Sequence, residues 1–408
     1  MNSRKTVAVV GRGIVGLAVA RELVLAGARV TLIGPQNRRG SATRAAQGIS
    51  STKGLVVGNT PFFREKISGH AGLSAWLEGI ERDSGQSLPI HRGGVWESGT
   101  TSQHYREIVD RVFRREPRGI FGADSGLMPE PFTGALRAGS SLTGVVESDL
   151  ARDLRYPGDL WFDPGACLDA IEKWLIKSYV TIFPEEVLAV ERGRVHLVSG
   201  SLPETFDEVV IAAGPWSAEV LSASGAALPG GLFVEVGGTG ILSRPKDGPS
   251  AIKESSNRSS QTRQGDLCVV SGKLSIAVIS GTLRAGSTTN PELGRLASDE
   301  AIAREAGDLA AQIPGAFGRH AGSVDKMLKH QGYLPTWGVR VRTRDRMPVV
   351  GSVPLAGGGR LWVATAFYKN GLQIAHTAAK TICSEIMNGP VARSRSPFSS
   401  ARFVESTK

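Results

Sequence analysis

The feature that most limits this chain is the run Val7-Ala8-Val9-Val10 passing directly into Gly11-Arg12-Gly13-Ile14-Val15-Gly16, after which apolar residues return at helical spacing through Val19, Leu23 and Ala26. Strand, tight turn and helix in this order form the element that holds a dinucleotide pyrophosphate. Gly11 permits the turn, Gly13 lets the backbone approach the phosphates, and Gly16 lets the helix pack close to the strand. The helix start then turns its unpaired N–H groups toward negative charge. Gly27 closes the helix, and Arg29-Val30-Thr31-Leu32-Ile33 supplies the second strand of a βαβ unit. The competing reading is a secretory leader, with Ser3-Arg4-Lys5 before an apolar core; Arg12 interrupts that core and the glycine ladder with its second strand argues against it.

A chain of 408 residues is long for one core, so two interleaved domains are expected. No uncharged stretch of about 20 apolar residues occurs, so no membrane span is predicted. Cys167, Cys268 and Cys383 are too far apart for a disulfide framework or a zinc site, so no metal is expected and the cytoplasm is the default compartment. The net charge of +10 is spread out. Its densest run, Arg106 to Arg118, carries only Phe113 as an aromatic and lacks a stacking platform for nucleic acid. It reads as a solvated face, with attraction of an anionic substrate or an acidic electron-accepting partner as the alternative.

Further along, Arg38 to Ser51 is rich in small residues, which let backbone approach something flat and bulky, though a plain Gly/Ser loop has the same composition. A helix is expected over Phe62 to Ile80, then a strand pair bent at glycines over Leu88 to Trp96, then an irregular stretch from Phe121 to Pro157. Asp163-Pro164 leads into a helix (Ala166 to Lys177), followed by a strand at Val180 to Ile182 and a hairpin across Val187–Val190 and Val195–Val198. Phe206 to Ala213 is another buried strand ending in glycine. Residues 239 to 266 read as polar loop, 267 to 280 as a hairpin about Ser271-Gly272-Lys273, and Ser298 to Ile313 as a helix ended by Pro314-Gly315. The chain closes with the block Trp337 to Gly351, a strand at Leu361 to Ala366, a helix to Met387 and a loosely ordered Ser/Arg-rich tail.

Three separated blocks agree with one another. They are the first glycine turn, Val209-Val210-Ile211-Ala212-Ala213-Gly214-Pro215-Trp216-Ser217, and Gly338-x-Arg340-x-x-Thr343-x-Asp345-x-x-Pro348-x-x-Gly351 with the later Asn370-Gly371. Together they resemble the glycine oxidase / D-amino acid oxidase and dehydrogenase family of flavoproteins over nearly the whole length. The resemblance implies an α/β fold: a Rossmann-like FAD-binding domain from residues 1–84, 158–225 and 336–390. An α+β substrate domain with an antiparallel sheet is inserted from 85–157 and 226–335, and 391–408 is the tail. It also implies the chemistry. A flavin takes hydride equivalents from the carbon beside an amine and the imine hydrolyses, so no side chain need act as general base if the neutral amine binds.

By the same resemblance, Gly11, Gly13, Ile14, Val15 and Gly16 meet the FAD pyrophosphate. Ser41, Ala42, Thr43, Arg44, Ala45, Ala46, Gln47 and Gly48 wrap the ribityl chain and ring. Val187 lies on the adenine side, and Ala213, Gly214 and Trp216 on the returning strand. Asn370, Gly371 and Leu372 lie by the flavin O2, where a helix start stabilises developing negative charge. Arg340 falls where the family grips the substrate carboxylate, a task that suits a planar guanidinium, with Arg342 as the alternative in the run Arg340, Arg342, Arg344, Arg346. Lys369 falls where glycine oxidases carry a second arginine, keeping the charge without the fork, or else it is a surface lysine. The partners implied are a small amino acid or amine and dioxygen or another electron acceptor, with an oligomer left open.

Two departures stand out. The family expects Asp or Glu at the end of the second strand for the adenosine ribose, and here that position is Gly34, with Gln36, Asn37 or backbone as substitutes. The family also offers a tyrosine or histidine from the substrate sheet. This chain has no Tyr between Tyr179 and Tyr333, leaving Asp266, Gln264 or Tyr368. No cysteine lies between Gly338 and Gly351, so the cofactor is expected to be noncovalent. Two other readings use the same fold: a 2-hydroxy acid or polyol-phosphate dehydrogenase, which needs a base such as His91 or His330, and a non-catalytic flavin subunit.

Overall fold

The computed structural model describes residues 4–53, 60–100, 102–110, 130–131, 152–229, 231–244, 266–317, 321–389 and 396–404. Val7, Ala8 and Val9 are wholly buried, which is why this strand reads as a continuous apolar run rather than an alternating one. Thr6–Val10 is parallel to Arg29–Ile33 on one side and Glu208–Ile211 on the other. Thr181–Phe183 and Arg360–Thr365 extend the sheet in parallel, and Val349–Pro354 closes one edge antiparallel. Three helices cover one face: Ile14–Leu25, Pro164–Lys177 and Gly371–Asn388, with Pro61–Ser84 packed against the last two.

Local sequence signals start and stop these helices. The Phe63 N–H donates to Thr60 Oγ1 at 3.3 Å, Pro61 follows, and Gly85 ends the helix at φ +69°. Asp163 Oδ1 accepts the Ala166 N–H at 3.0 Å, again with a proline at the first turn.

The second large sheet is mostly antiparallel, eight strands running from Leu334–Thr343 through Phe233–Ser243, Thr282–Gly286, Leu274–Ile279 and Leu267–Ser271 to Val95–Thr100, Arg152–Tyr156 and Glu130–Pro131. Helices Asp299–Ala316 and Ala321–Gln331 pack on it through Leu309, Ile313 and Val324, with Phe317 after the first helix in the same cluster. Leu334–Thr343 pairs along its whole length with Phe233–Ser243, placing Arg340 opposite Val236.

Several expectations change. Residues 239 to 243 are strand, not polar loop, because Thr239 and Ser243 are buried with partners. The Thr239 N–H donates to Thr288 Oγ1 and its hydroxyl to Glu305 Oε2, both at 2.9 Å, and Ser243 Oγ donates to Gln331 Oε1 at 3.1 Å. The rest of that loop, 245–265, lies outside the described residues, as do Gln264, Arg111 to Arg118, and most of Phe121 to Pro157. The end of that last stretch is the strand Arg152–Tyr156.

Ile90–His91 and Val95–Thr100 do not pair with each other. The first joins Leu160–Phe162 and the second the large sheet, because Gly94 turns the chain at φ +83°. Gly200–Thr205 adds a third strand to the hairpin after Val187. The helix from Asp299 runs through Pro314 to Ala316, since a proline in the last turn disturbs few bonds. The tail docks: Val350 N–H donates to Phe398 O at 2.8 Å, Ser400 N–H to Val350 O at 3.1 Å, and Phe398 and Ser400 are buried.

Candidate functional site

A cleft opens at the carboxyl ends of the parallel strands. This is the position at which open α/β sheets take their ligands. Its floor is the first glycine turn. Gly11 has φ +118°, and a Cβ there would lie 2.3 Å from the Ala212 carbonyl oxygen. A Cβ on Gly16 would lie 2.0 Å from Gly11 O, so Gly16 shapes the cleft through helix packing without lining it. The helix Ile14–Leu25 has no side-chain cap on Gly13. Only the Ile14 N–H reaches a side chain, Thr43 Oγ1 at 3.3 Å, so the positive end of the helix faces the cleft.

Of the residues singled out in the sequence, Gly11, Gly13, Ile14, Val15, Ser41, Ala42 and Thr43 line this cleft, and so do Val187, Ala213, Gly214, Trp216, Gly371, Arg340 and Tyr368. Others stand behind the wall. Arg44 pairs with Asp169 at 2.7 Å, pointing away along the helix Pro164–Lys177. Ala45 packs under Gly338, and Gln47 fills the space left by the absent side chains of Gly240 and Gly286. Gln47 O accepts the Trp161 Nε1–H at 2.7 Å, and Gly48 presses on Phe162 O. Ala46 closes the short helix Ala42–Ala45. Asn370 is buried, with its Nδ2 donating to Phe367 O at 3.4 Å, and Leu372 packs on the core.

Gly34 has φ +144°, a conformation an acidic side chain adopts only with strain, so the missing carboxylate is a property of the backbone here. The neighbouring polar groups are Arg12 and Gln36, both held by Glu172. Gln36 Nε2 donates at 3.1 Å, and the Arg12–Glu172 ion pair is buried. Arg38 and Glu186 complete this end. Arg38 pairs with Glu186 at 2.6 Å and its guanidinium carbon sits 3.9 Å from the Trp216 ring centre. Glu186 and the Ala364-Thr365-Ala366-Phe367 wall are lining residues that the sequence reading missed. The Arg38–Glu186 pair joins positions 148 apart, and no local pattern signals it.

At the other end, Arg340 is half-buried on the cleft wall. Its Nη1 donates to Thr288 O at 3.1 Å and its Nη2 to Ser287 Oγ, both uncharged acceptors. Burial lowers its pKa from the ordinary arginine value. Tyr368 stands beside it at φ +52°, its N–H donating to Val341 O at 3.1 Å. Lys369 Nζ donates to Thr289 Oγ1 at 3.0 Å, and burial, Arg340 and Lys273 lower its pKa to about 8. Neither Arg342 nor Lys369 lines the cleft, Lys369 being exposed just after the lining residue Tyr368, and Asp266 is occupied by the Ser280 N–H at 2.8 Å.

Among the described residues no histidine lines the cleft. His91 is buried in its short strand and His330 is exposed on the helix Ala321–Gln331. A buried polar chain joins Ser50, His70 and Asp159 just beyond the small-residue loop, with Ser50 Oγ 2.9 Å from His70 Nδ1. Burial pushes the Asp159 carboxyl up to about 7 and the His70 ring down to about 4.

The family model for FAD-dependent oxidoreductases matches residues 6–385. The chain belongs to that family. This FAD-dependent oxidoreductase is 25% identical over 403 residues to a glycine oxidase of Pseudomonas aeruginosa, covering 94% of each chain. A glycine oxidase of Geobacillus kaustophilus is 23% identical, covering 99% of this chain and 98% of the relative. Among solved structures, iminodiacetate oxidase from a Chelativorans strain superposes with a TM-score of 0.72 at 18% identity, covering 97% of this chain and 98% of the other. Glycine oxidase from Geobacillus kaustophilus gives 0.71 at 18%, with the same coverage. Likeness at that identity establishes the D-amino acid oxidase type of fold.

The cleft suits the cofactor of this FAD-dependent family: glycine where backbone must approach, and an uncapped helix start for the diphosphate. No helix among the described residues is long and apolar enough to cross a membrane.

Proposed function

We propose that this flavoprotein oxidises the C–N bond of an amino acid or N-alkyl amino acid, with FAD held noncovalently along the cleft. The single observation that carries the reading is Arg340, a half-buried guanidinium on the cleft wall whose hydrogen bonds among the described residues go to uncharged oxygens. A cation so placed is completed by a carboxylate, which accepts two parallel N–H bonds. The relatives named glycine oxidase support the amino acid class.

In this reading Gly11, Gly13, Ile14 and Val15 hold the diphosphate, and Ser41 to Thr43 with Ala213, Gly214 and Trp216 hold the rest of the nucleotide. Gly371 starts the helix facing the ring. The flavin supplies the two-electron acceptor for a hydride from the carbon beside the amine. The chain's own part is orientation. Arg340 fixes the acid group and Tyr368 and Phe367 exclude water. The absence of a histidine from the described cleft favours an amine, which needs no side-chain base when neutral, over an alcohol, which does. Dioxygen or another acceptor reoxidises the cofactor.

The test is anaerobic. Yellow holoenzyme mixed with a panel of amino acids and N-alkyl glycines is expected to bleach with at least one. Arg340→Ala is expected to keep its FAD and lose about 100-fold in substrate affinity, in line with loss of a bidentate charged pair. Unchanged affinity in that variant removes the carboxylate role.

A further inference from the structure

We infer that Arg295 is a positioning residue for FAD: by holding Glu219 it keeps a wall of Trp216, Arg38 and Glu186 closed along the nucleotide end of the cleft. This rests on the seat of FAD given above and not on the identity of the substrate.

The strand order sets the two rims of that end. Thr6–Val10 has Arg29–Ile33 on one side and Glu208–Ile211 on the other, so the segment after Ile33 and the segment after Ile211 flank the glycine turn. Arg38 spans them. Its guanidinium carbon, from the first rim, lies 3.9 Å from the ring centre of Trp216 on the second, and its Nη2 pairs with Glu186 at 2.6 Å. Arg38, Glu186 and Trp216 all line the cleft. A dinucleotide that enters or leaves over the glycine turn has to part this bridge.

Arg295 holds the second rim from outside. The segment that carries it has a rigid base: Asn290 and Gly237 exchange backbone hydrogen bonds at 3.0 and 2.9 Å, and a Cβ on Gly237 would lie 2.0 Å from Leu293 O. From there the half-buried Arg295 reaches two carboxylates at 2.6 Å each. Its Nε meets Glu235 on the strand Phe233–Ser243, and its Nη2 meets Glu219 on the helix Ser217–Ala223. Glu219 stands between Trp216 and Val220, both of which line the cleft. It also acts on Arg38. The bond from Arg295, and after it the charges of Arg295 and Arg38, hold the Glu219 carboxyl below its ordinary value, while Glu186 and Glu219 oppose the lowering of the Arg38 pKa by burial. Glu186, Arg38, Glu219, Arg295 and Glu235 thus form a row of alternating sign. A weaker tie reaches the first rim, where Arg39 Nη2 donates to Ala297 O at 2.8 Å and pairs with the exposed Asp299 at 2.6 Å.

The test is release of FAD from holoenzyme, followed by the return of free-flavin fluorescence on dilution. Arg295→Met and Glu219→Gln are each expected to speed release about fivefold, the worth of one partly exposed ion pair. The double variant is expected to be no faster than either single, since both remove the same contact. Arg295→Lys, which keeps the charge, is expected to stay within about twofold of the parent. Glu235→Gln removes the other ion pair of Arg295, away from the cleft rim, and is expected to change release less than about twofold. At about 1 M salt, where charges are screened beyond about 3 Å, parent and Arg295→Met are expected to converge. Parent-like release from Arg295→Met, additive effects in the double variant, or equal acceleration by Glu235→Gln overturns the role of Arg295 and leaves the FAD seat and the amino acid reading intact. A parent protein that takes up no FAD overturns the seat as well.

Discussion

The two ends of the cleft are built from different material. The nucleotide end is backbone: glycines that permit close approach, an uncapped helix start and the returning Ala212-Ala213-Gly214 segment, with its nearby charges already paired as Arg12–Glu172 and Arg38–Glu186. The other end, where we propose the acid group binds, is side chain: Arg340 on neutral anchors, with the exposed Lys369 on the adjoining Thr289. A backbone cradle tolerates little change at its glycines but reads no particular substrate. A side-chain cluster tolerates substitution for folding and decides what is bound.

The largest expected effect breaks the first end and spares the second. Gly11→Val places a branched side chain at φ +118° and against Ala212 O, 2.3 Å from even its first carbon. Strain of this kind costs about 1–3 kcal/mol before the clash is counted. FAD affinity, measured by equilibrium dialysis of refolded protein, is expected to fall by more than about 100-fold, or stably folded protein to be lost. Retention of stoichiometric FAD shows that this turn is not the pyrophosphate seat.

A smaller effect sharpens the second end. Lys369 has its pKa lowered from 10.5 to about 8 because burial and the cations Arg340 and Lys273 disfavour its charge, and Thr289 Oγ1 and the Tyr368 ring also lie against it. The ammonium is present below that value and lost above it. Binding of an acid favours the ammonium and so takes up a proton. Affinity for an acid that cannot be oxidised, such as acetate, followed by perturbation of the flavin spectrum, is therefore expected to hold steady below about pH 7 and to weaken above about pH 8, by at most about fivefold in all, the worth of one exposed ion pair. The same profile in Lys369→Met is expected to be flat across that range. A slope that survives in the variant assigns the titration to another group.

The contrast between the ends also governs what was legible in the sequence. The glycine turn announces itself because its requirement is local: a positive φ at Gly11 and a missing side chain at Gly16 leave a pattern within six residues. Arg340 was legible through its motif. Its anchors were not, because Ser287 to Thr289 reach it only through the pairing of Phe233–Ser243 with both Leu334–Thr343 and Thr282–Gly286. Burial of satisfied polar residues hid a strand: Thr239 and Ser243 look like loop until Thr288, Glu305 and Gln331 are placed beside them. Gln36 and Arg38 at the ribose end were visible as residues, but Glu172 and Glu186, their partners, are 136 and 148 positions away.

The smallest effect is the most discriminating. Arg342 lies on the same face of its strand as Arg340, two residues and about 7 Å further along. The 366–370 segment meets that strand at Val341, whose carbonyl accepts the Tyr368 N–H at 3.1 Å, so Arg340 falls on the cleft side of the crossing and Arg342 beyond it. On the partner strand Arg340 faces Val236 and Arg342 faces Val234, and the Arg340 guanidinium takes the space that a side chain on Gly238 would fill. Arg342 Nη1 makes only a 3.4 Å contact with Thr343 O. Arg342→Ala is therefore expected to change acid affinity less than about twofold and stability by less than about 0.5 kcal/mol in the same spectral and thermal measurements. If it instead weakened acid binding as much as Arg340→Ala, the cations would be acting through their summed field rather than through a fitted fork, and the side-chain end would share the indifference to detail of the backbone end.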